Sequence, residues 1–469
     1  MQVPINIQPI LIILNRNRFM KPKPKSLALL FSGLFLFFLL TNNPCSAQND
    51  TIRVMAYNTL GFSYSSGCQG PIPPLYAGLK AIFQFAKPDI MGLDKMACVQ
   101  TNPNDLEGIS PYYFPDTVIS ECLDTNYSFC PFTDISGCTD GDGSVLFYNH
   151  RKMGYVSTTP MYTGQEDIDL FKLYYKDPYL LATQDTTFLY IILCHTISGN
   201  ASAGRDGQDT TVMHKLKTMF TYLPNLIYMG DFNTHSTSEL GYEYITQTDA
   251  DTNFLLDDPC FHPDAKLTYP INWDNNPTAC AAELTTTTRS TTLPNSCGTT
   301  GGAKDWYDHI FLSHTIVNNA DYISYIRNSY TTIGNDGNRI GVSVNAGTNS
   351  SAPANVINAL FTFSDKYPVM VRLLATAHPL GVINILQEPG SIKVTNPIVD
   401  NTISLHFASF LNGQNMAMGV YDICGRLICQ YSFTVNNNTI DKNISLAPGI
   451  YMLHFTSGGY STTLKVVKE

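Results

Sequence analysis

A chain of 469 residues is too long for one ordinary domain and suits two or three. Its 44% hydrophobic content supports a real core, and its 14% of charged residues is low against the usual share of about a quarter. A formal net charge of -10 argues against a protein built to hold bulk nucleic acid.

The N-terminus has the form of an export leader. Lys21, Lys23 and Lys25 precede an apolar run over 27–40, and Cys45-Ser46-Ala47 offers small residues for cleavage. The leader is read over 1–47, with Met20 as an alternative start. Its apolar run is short for a bilayer, so no transmembrane span is expected in the mature chain. Export changes the meaning of the twelve cysteines. None has the paired spacing of a zinc site, and an oxidising compartment favours disulfides. Cys122, Cys130 and Cys138, with Cys260, Cys280 and Cys297, are the expected members. Cys194, inside an apolar strand, is the expected free thiol. The pairing stays open.

Residues 51–58 alternate as a strand, 75–85 carry apolar residues at helical spacing, and 90–93 form a buried strand. Residues 99–143 are rich in Pro, Asp, Gly and Cys and read as surface loops. Strands follow at 144–148 and 187–194, the second ending in His195. A helix is expected over 209–223. The apolar run 225–229 then stops at Gly230-Asp231-Phe232-Asn233. Residues 275–304 read as a low-complexity Thr/Gly/Asn loop. A strand returns over 305–312, 335–352 is again loop, 353–360 is a short helix and 367–373 a last strand. Beyond about residue 378, short alternating segments at 392–397, 403–407, 418–422, 426–433 and 450–455 describe an all-β module.

The chemistry sits where apolar runs end. Asn58, Asp94-Lys95, His195, Asp231 with Asn233, Asp308 and Ser364-Asp365-Lys366 each place polar groups at such an end. Each alone is an ordinary turn, cap or core residue. Repeated, the pattern gathers them at one edge of a sheet. Carboxylates and amides at that edge suit an oxygen-seeking cation or a water held against a phosphate.

In this order the motifs resemble the endonuclease/exonuclease/phosphatase superfamily over residues 51–375. Met55-Ala56-Tyr57-Asn58 is similar to its opening strand, and Pro88-Asp89-Ile90-Met91-Gly92-Leu93-Asp94-Lys95 to the strand that usually ends in Gln-Glu. His195-Thr196, Gly230-Asp231-Phe232-Asn233, Tyr307-Asp308 and Ser364-Asp365-Lys366-Tyr367-Pro368 complete the set. The resemblance implies an α/β fold, a four-layer sandwich, and phosphoester hydrolysis with Mg²⁺ or Ca²⁺. It implies that Asn58, Asp231 and Asp365 hold metal and that Asn58, His195 and Asn233 contact phosphate. Asp308 would orient the residue at 366.

Two positions depart from the pattern, and both are lysine. Lys95 stands for the metal-ligating Glu and Lys366 for the catalytic His. Lysine has no oxygen to offer a hard cation. An ammonium about 4 Å from a divalent ion repels it by roughly 8 kcal/mol at an effective dielectric near 20. Millimolar binding is worth only about 4 kcal/mol. The two lysines are therefore expected to supply the charge of a metal, leaving the site without a cofactor. Asp94 is expected on the opposite strand face from Lys95, away from the site unless a bulge intervenes.

Asn396-Pro397, Val420-Tyr421-Asp422-Ile423-Cys424-Gly425-Arg426-Leu427, Leu446-Ala447-Pro448-Gly449-Ile450-Tyr451 and the closing Leu464-Lys465-Val466-Val467-Lys468-Glu469 resemble the sorting domain of type IX secretion substrates. That implies an immunoglobulin-like sandwich over 389–469, after a linker at 376–388. It also implies export to the cell surface or medium by the type IX machinery. Three functions stay open: an active secreted phosphodiesterase, nuclease or phosphatase; a metal-free relative binding a phosphorylated ligand, another anion or a protein; and a surface scaffold.

Overall fold

The computed structural model describes residues 49–62, 72–97, 99–101, 111–133, 143–164, 167–247, 254–291, 298–378, 392–436, 438–457 and 460–469. The expected leader lies outside these residues. Among them no helix is long and apolar enough to cross a membrane.

The first body starts with β1 (Asn49–Phe62), α1 (Ile72–Ala86) and β2 (Ile90–Met96). Then come β3 (Val99–Thr101), β4 (Pro111–Tyr113), α2 (Phe114–Glu121), β5 (Tyr127–Phe129) and β6 (Gly143–Asn149). A second run contains β7 (Met153–Tyr162), β8 (Ile168–Tyr175), α3 (Leu180–Thr183), β9 (Phe188–His195), α4 (Ser202–Met219), β10 (Leu226–Asp231), α5 (Leu240–Thr246) and β11 (Leu256–Asp257). β12 (Asp308–Ser313), α6 (His314–Val317), β13 (Ile323–Tyr325), β14 (Thr331–Thr332), α7 (Ala354–Phe363) and β15 (Val369–Thr376) close it.

Two sheets result. One runs β13-β15-β1-β2-β6-β5, with β14 also on β15; the other runs β11-β12-β10-β9-β8-β7. Each is antiparallel except for one central parallel pair, β1 with β2 and β9 with β10. Those pairs are crossovers through α1 and α4, the connection a parallel pair requires. The sheets stack face to face: a Cβ on Gly92 of β2 would lie 2.6 Å from Leu193 of β9. Helices cover both outer faces. On the first sheet Tyr57 meets Phe363 of α7 at 5.5 Å between ring centres. On the second, Tyr228 donates to Asp209 of α4 at 2.8 Å and Tyr242 of α5 meets Phe311 at 5.5 Å. This is the expected four-layer α/β sandwich, and covering both faces explains why β10 is buried throughout.

The C-terminal body has two antiparallel sheets. β16 (Ile392–Val394), β17 (Thr402–Phe407) and β20 (Thr439–Asn443) form one; β18 (Asn415–Asp422), β19 (Leu427–Thr434), β21 (Gly449–Ser457) and β22 (Tyr460–Lys468) form the other. Ile403 and Leu405 of one share a core with Met418, Val420 and Leu453 of the other.

Several expectations need correction. Residues 99–143 are not only loop, since β3, β4, α2 and β5 lie there. β7 and β8 escape the sequence reading. β7 is a sheet edge carrying Pro160, and its partly exposed residues blur the alternation. The expected low-complexity loop over 275–304 is buried at its centre, with Thr285, Thr286, Thr287, Thr288 and Arg289 at 1% exposure or less. The expected disulfides do not form among the described residues: Cys122, Cys130, Cys260 and Cys280 are free thiols, as is Cys194. Cys138 and Cys297 lie outside the described residues.

Candidate functional site

The strand ends converge as expected. Parallel register sets Asp231 of β10 beside His195 of β9, and antiparallel register sets it beside Asp308 of β12. The turn into this edge needs glycine. Gly230 has φ 136°, and a Cβ there would meet the Cys194 carbonyl oxygen at 1.9 Å. Asn233 follows in the left-handed region at φ 47°, which asparagine tolerates better than most residues.

Asp231 is the hub. Its Oδ2 accepts from Asn58 Nδ2 at 2.9 Å and pairs with Lys366 Nζ at 3.0 Å. Its Oδ1 accepts the Asn233 N–H at 3.0 Å. Burial pushes this carboxyl up, but the Lys366 ammonium and then His195 outweigh it and hold it down at about 2. Burial works against the Lys366 charge too. The Asp231, Asp308 and Asp365 carboxylates overcome that and raise the lysine above its ordinary value. The ammonium also stands 4.7 Å from the centre of the Tyr307 ring.

The remaining expected residues surround this pair. Asp308 is fully buried, and neither carboxylate oxygen has a hydrogen-bond partner. Burial first, and then the Asp231 charge, push it well above the usual carboxylate range despite Lys366. Asp365 Oδ2 accepts from Thr299 N and Oγ1 at 2.6 and 2.7 Å, and its Oδ1 has no partner. His195 is 3% exposed and close enough to Asp231 for its charge to be felt. Asn233 turns its amide to the Thr196 carbonyl at 2.9 Å.

Lys95 does not join the cluster. It is half-buried at φ 53°, and it makes no ion pair among the described residues. The register pairs Asn58 with Asp94, so Asp94 shares a sheet face with the residue that reaches Asp231. Gly92, two residues earlier, faces the second sheet, and Asp94 follows it there at zero exposure. The expectation that Asp94 turns away from the site is therefore overturned. An irregularity follows in the β2–β6 pairing, between Leu93 and Met96, where Lys95 sits.

The threonine tract is what sequence reasoning missed. Thr285 Oγ1 accepts the Tyr307 and Asp308 N–H groups at 3.0 and 3.1 Å. The Thr285 carbonyl accepts the Tyr367 N–H at 2.8 Å, and Thr288 Oγ1 donates to the Ser364 carbonyl at 2.6 Å. The tract thus straps the Asp308 strand to the Ser364-Asp365-Lys366 turn. Arg289 is buried beside it, donating to the carbonyls of Phe361 and Thr362, and feels the Asp365 charge. A run of four threonines followed by an arginine was the available signal, because hydroxyls let irregular backbone be buried.

The expected metal does not fit these residues. Both Asp231 oxygens already receive donors, one of them an ammonium, and Asn58 Oδ1 accepts the Leu60 N–H at 3.0 Å. Among the described residues no three His, Cys, Asp or Glu side chains form a group able to hold a metal ion.

Residues 396–469 match the family model described as a secretion system C-terminal sorting domain. That match marks the chain for secretion or the cell surface. No curated protein matches the chain. Solved structures similar to it include an endonuclease/exonuclease/phosphatase family protein from Bacteroides thetaiotaomicron, at 16% identity and TM-score 0.40, covering 72% of this chain and 100% of that one. The human Nocturnin catalytic domain is similar at 14% identity and TM-score 0.41, covering 70% and 97%. A mannosyl-6-phosphatase from Bacteroides thetaiotaomicron is similar at 17% identity and TM-score 0.39, covering 69% and 99%.

Proposed function

We propose that this chain is a secreted or surface-held protein that acts by binding, on a scaffold of the endonuclease/exonuclease/phosphatase type that no longer carries out metal-dependent phosphoester hydrolysis. Residues 51–375 form the binding body, 376–388 the linker, and 389–469 the part handed to the type IX machinery. The carrying observation is the 3.0 Å contact between Lys366 Nζ and Asp231 Oδ2 in a buried setting. It places a fixed positive charge on the carboxylate a hydrolase of this type needs for its ion. The amides of Asn58 and Asn233 point at Asp231 and the Thr196 carbonyl, so neither is turned toward an incoming phosphate. A lysine held above its ordinary value is also a poor general base near neutrality.

The test is turnover of a phosphodiester and a phosphomonoester reporter by purified protein, with Mg²⁺, with Ca²⁺ and with chelator. The expected outcome is no metal-dependent turnover. Turnover that requires the ion and disappears in Asp231→Asn would return the chain to the hydrolases.

A further inference from the structure

A strand at the edge of a sheet leaves a row of backbone N–H and C=O groups unpaired, and proteins guard such rows with charge, proline, bulges or a cover. Among the described residues the edges longer than five residues are β7, β19 and β22. β7 carries Pro160 and two shifts of register against β8. β22 carries Lys465 and Lys468, and Ile398 lies along its end, donating to the Val467 carbonyl at 2.7 Å and accepting the Glu469 N–H at 3.1 Å. The shorter edge β20, on the other sheet of this body, has Asp441 and Lys442. β19 is guarded in none of these ways. Leu427–Thr434 holds no charge and no proline, and its one register shift against β18 lies at the hairpin end, beside Tyr421.

The side chains of β19 tell the same story. Cys429, Tyr431 and Phe433 pair with Val420, Met418 and Met416 and so face the core, yet all three stay partly exposed at its rim. At the hairpin, Ile423 is 73%, Leu427 48% and Ile428 41% exposed. Apolar surface gathered beside an open edge is the mark of a contact.

We propose that β19 is the docking edge for a second copy of this chain, joined antiparallel about a twofold axis so that the two sheets run on as one. An axis at Tyr431 sets Cys429 of one copy opposite Phe433 of the other and Gln430 opposite Ser432. Core-facing residues then meet core-facing residues and outer ones meet outer ones, as sheet pairing requires. Charge favours a like partner here. The whole chain carries -10, but residues 392–469 hold five lysines and arginines against four aspartates and glutamates. This body is therefore where two acidic copies approach at least cost, and an uncharged strand meets its own copy without repulsion. A twofold contact also closes on itself and stops at two copies. The inference goes beyond the binding reading above and does not depend on it.

The experiment is sedimentation of the purified chain, Gln48 to Glu469, under reductant, from about 1 to 200 µM, since so small an interface should associate in the micromolar range. The mass of wild type is expected to double across that range. Gln430→Lys with Ser432→Lys sets ammoniums face to face and should weaken association at least about tenfold while leaving Tm within about 2 °C of wild type. Val467→Lys, on the covered edge, should leave association unchanged. Independently of any variant, hydrogen exchange of the β19 amides in wild type should slow as concentration rises. A wild type that stays monomeric throughout, as it would if a foreign strand were the natural partner, overturns the proposal. So does a dimer that the double lysine variant leaves intact, or one whose formation does not slow exchange in β19.

Discussion

At the end of β10, Asp231 is wholly buried and meets a lysine at 3.0 Å; at the end of β2, Lys95 is half-buried, sits at φ 53° and makes no ion pair among the described residues. By sequence the two lysines are equivalent departures from one motif. In the fold they are not. Lys366 follows a turn pinned by Ser364, whose hydroxyl donates to the Asn58 carbonyl at 2.8 Å, and by Thr288. That turn delivers the ammonium to the carboxylates. Lys95 follows Asp94, and it is Asp94 that shares the face of Asn58. A lysine becomes part of a charged site only when its neighbours leave its head group no route to water.

The sharpest way to break this contrast is Asp231→Ala. It leaves the Lys366 ammonium buried without its closest partner, and a loss of about 3–5 kcal/mol in urea unfolding is expected. A loss under about 1 kcal/mol would mean that the ammonium reaches water.

Asp308→Asn comes next and should act in the opposite direction. The folded pKa of Asp308 is raised, so its protonated form favours the native state, and stability is lost as pH rises above the ordinary carboxylate range. The amide removes that penalty. The variant should exceed wild type by about 1–2 kcal/mol at pH 7, with the gap closing toward about pH 4. Asp231 runs the other way. Its folded pKa is depressed to about 2, so its contribution is present above the ordinary value of 3.8 and is lost as pH falls between the two. Acid unfolding of Asp231→Asn should lack that component.

Lys95→Gly sharpens the comparison from the quieter side. Glycine accepts φ 53° without strain, so stability should hold or rise by up to about 1 kcal/mol in the same urea series. A drop beyond about 2 kcal/mol would show that Lys95 carries an interaction after all. The smallest effect is expected in the C-terminal body, where Arg426 meets Asp422 at 3.0 Å with the arginine side chain 78% exposed. Arg426→Ala should leave Tm unchanged within error, and a clear shift would show that solvent exposure does not separate the two ion pairs.

Much of this was legible along the chain. The apolar runs behind β1, β2, β9, β10 and β12 are local signals, and so are the polar residues that end them. Asn58, His195, Asp231, Asn233, Asp308, Asp365 and Lys366 were named from that pattern, and the fold brings them to one edge. The failures have physical causes. β7 lies at a sheet edge, where only part of the strand is buried. Thr285–Arg289 looks like surface by composition, yet it is buried because its hydroxyls and carbonyls are spent on Tyr307, Asp308, Ser364 and Tyr367.

What the sequence determined alone is therefore the set of elements and the residues offered at their ends, since side-chain alternation depends on neighbours two to four positions away. Which charge meets which was decided only in three dimensions. The Asp231–Lys366 contact joins distant parts of the chain, and the choice of Asp94 over Lys95 turns on strand register and an irregularity after Leu93. Coulomb energy depends on distance and burial, and neither exists until the two sheets have stacked.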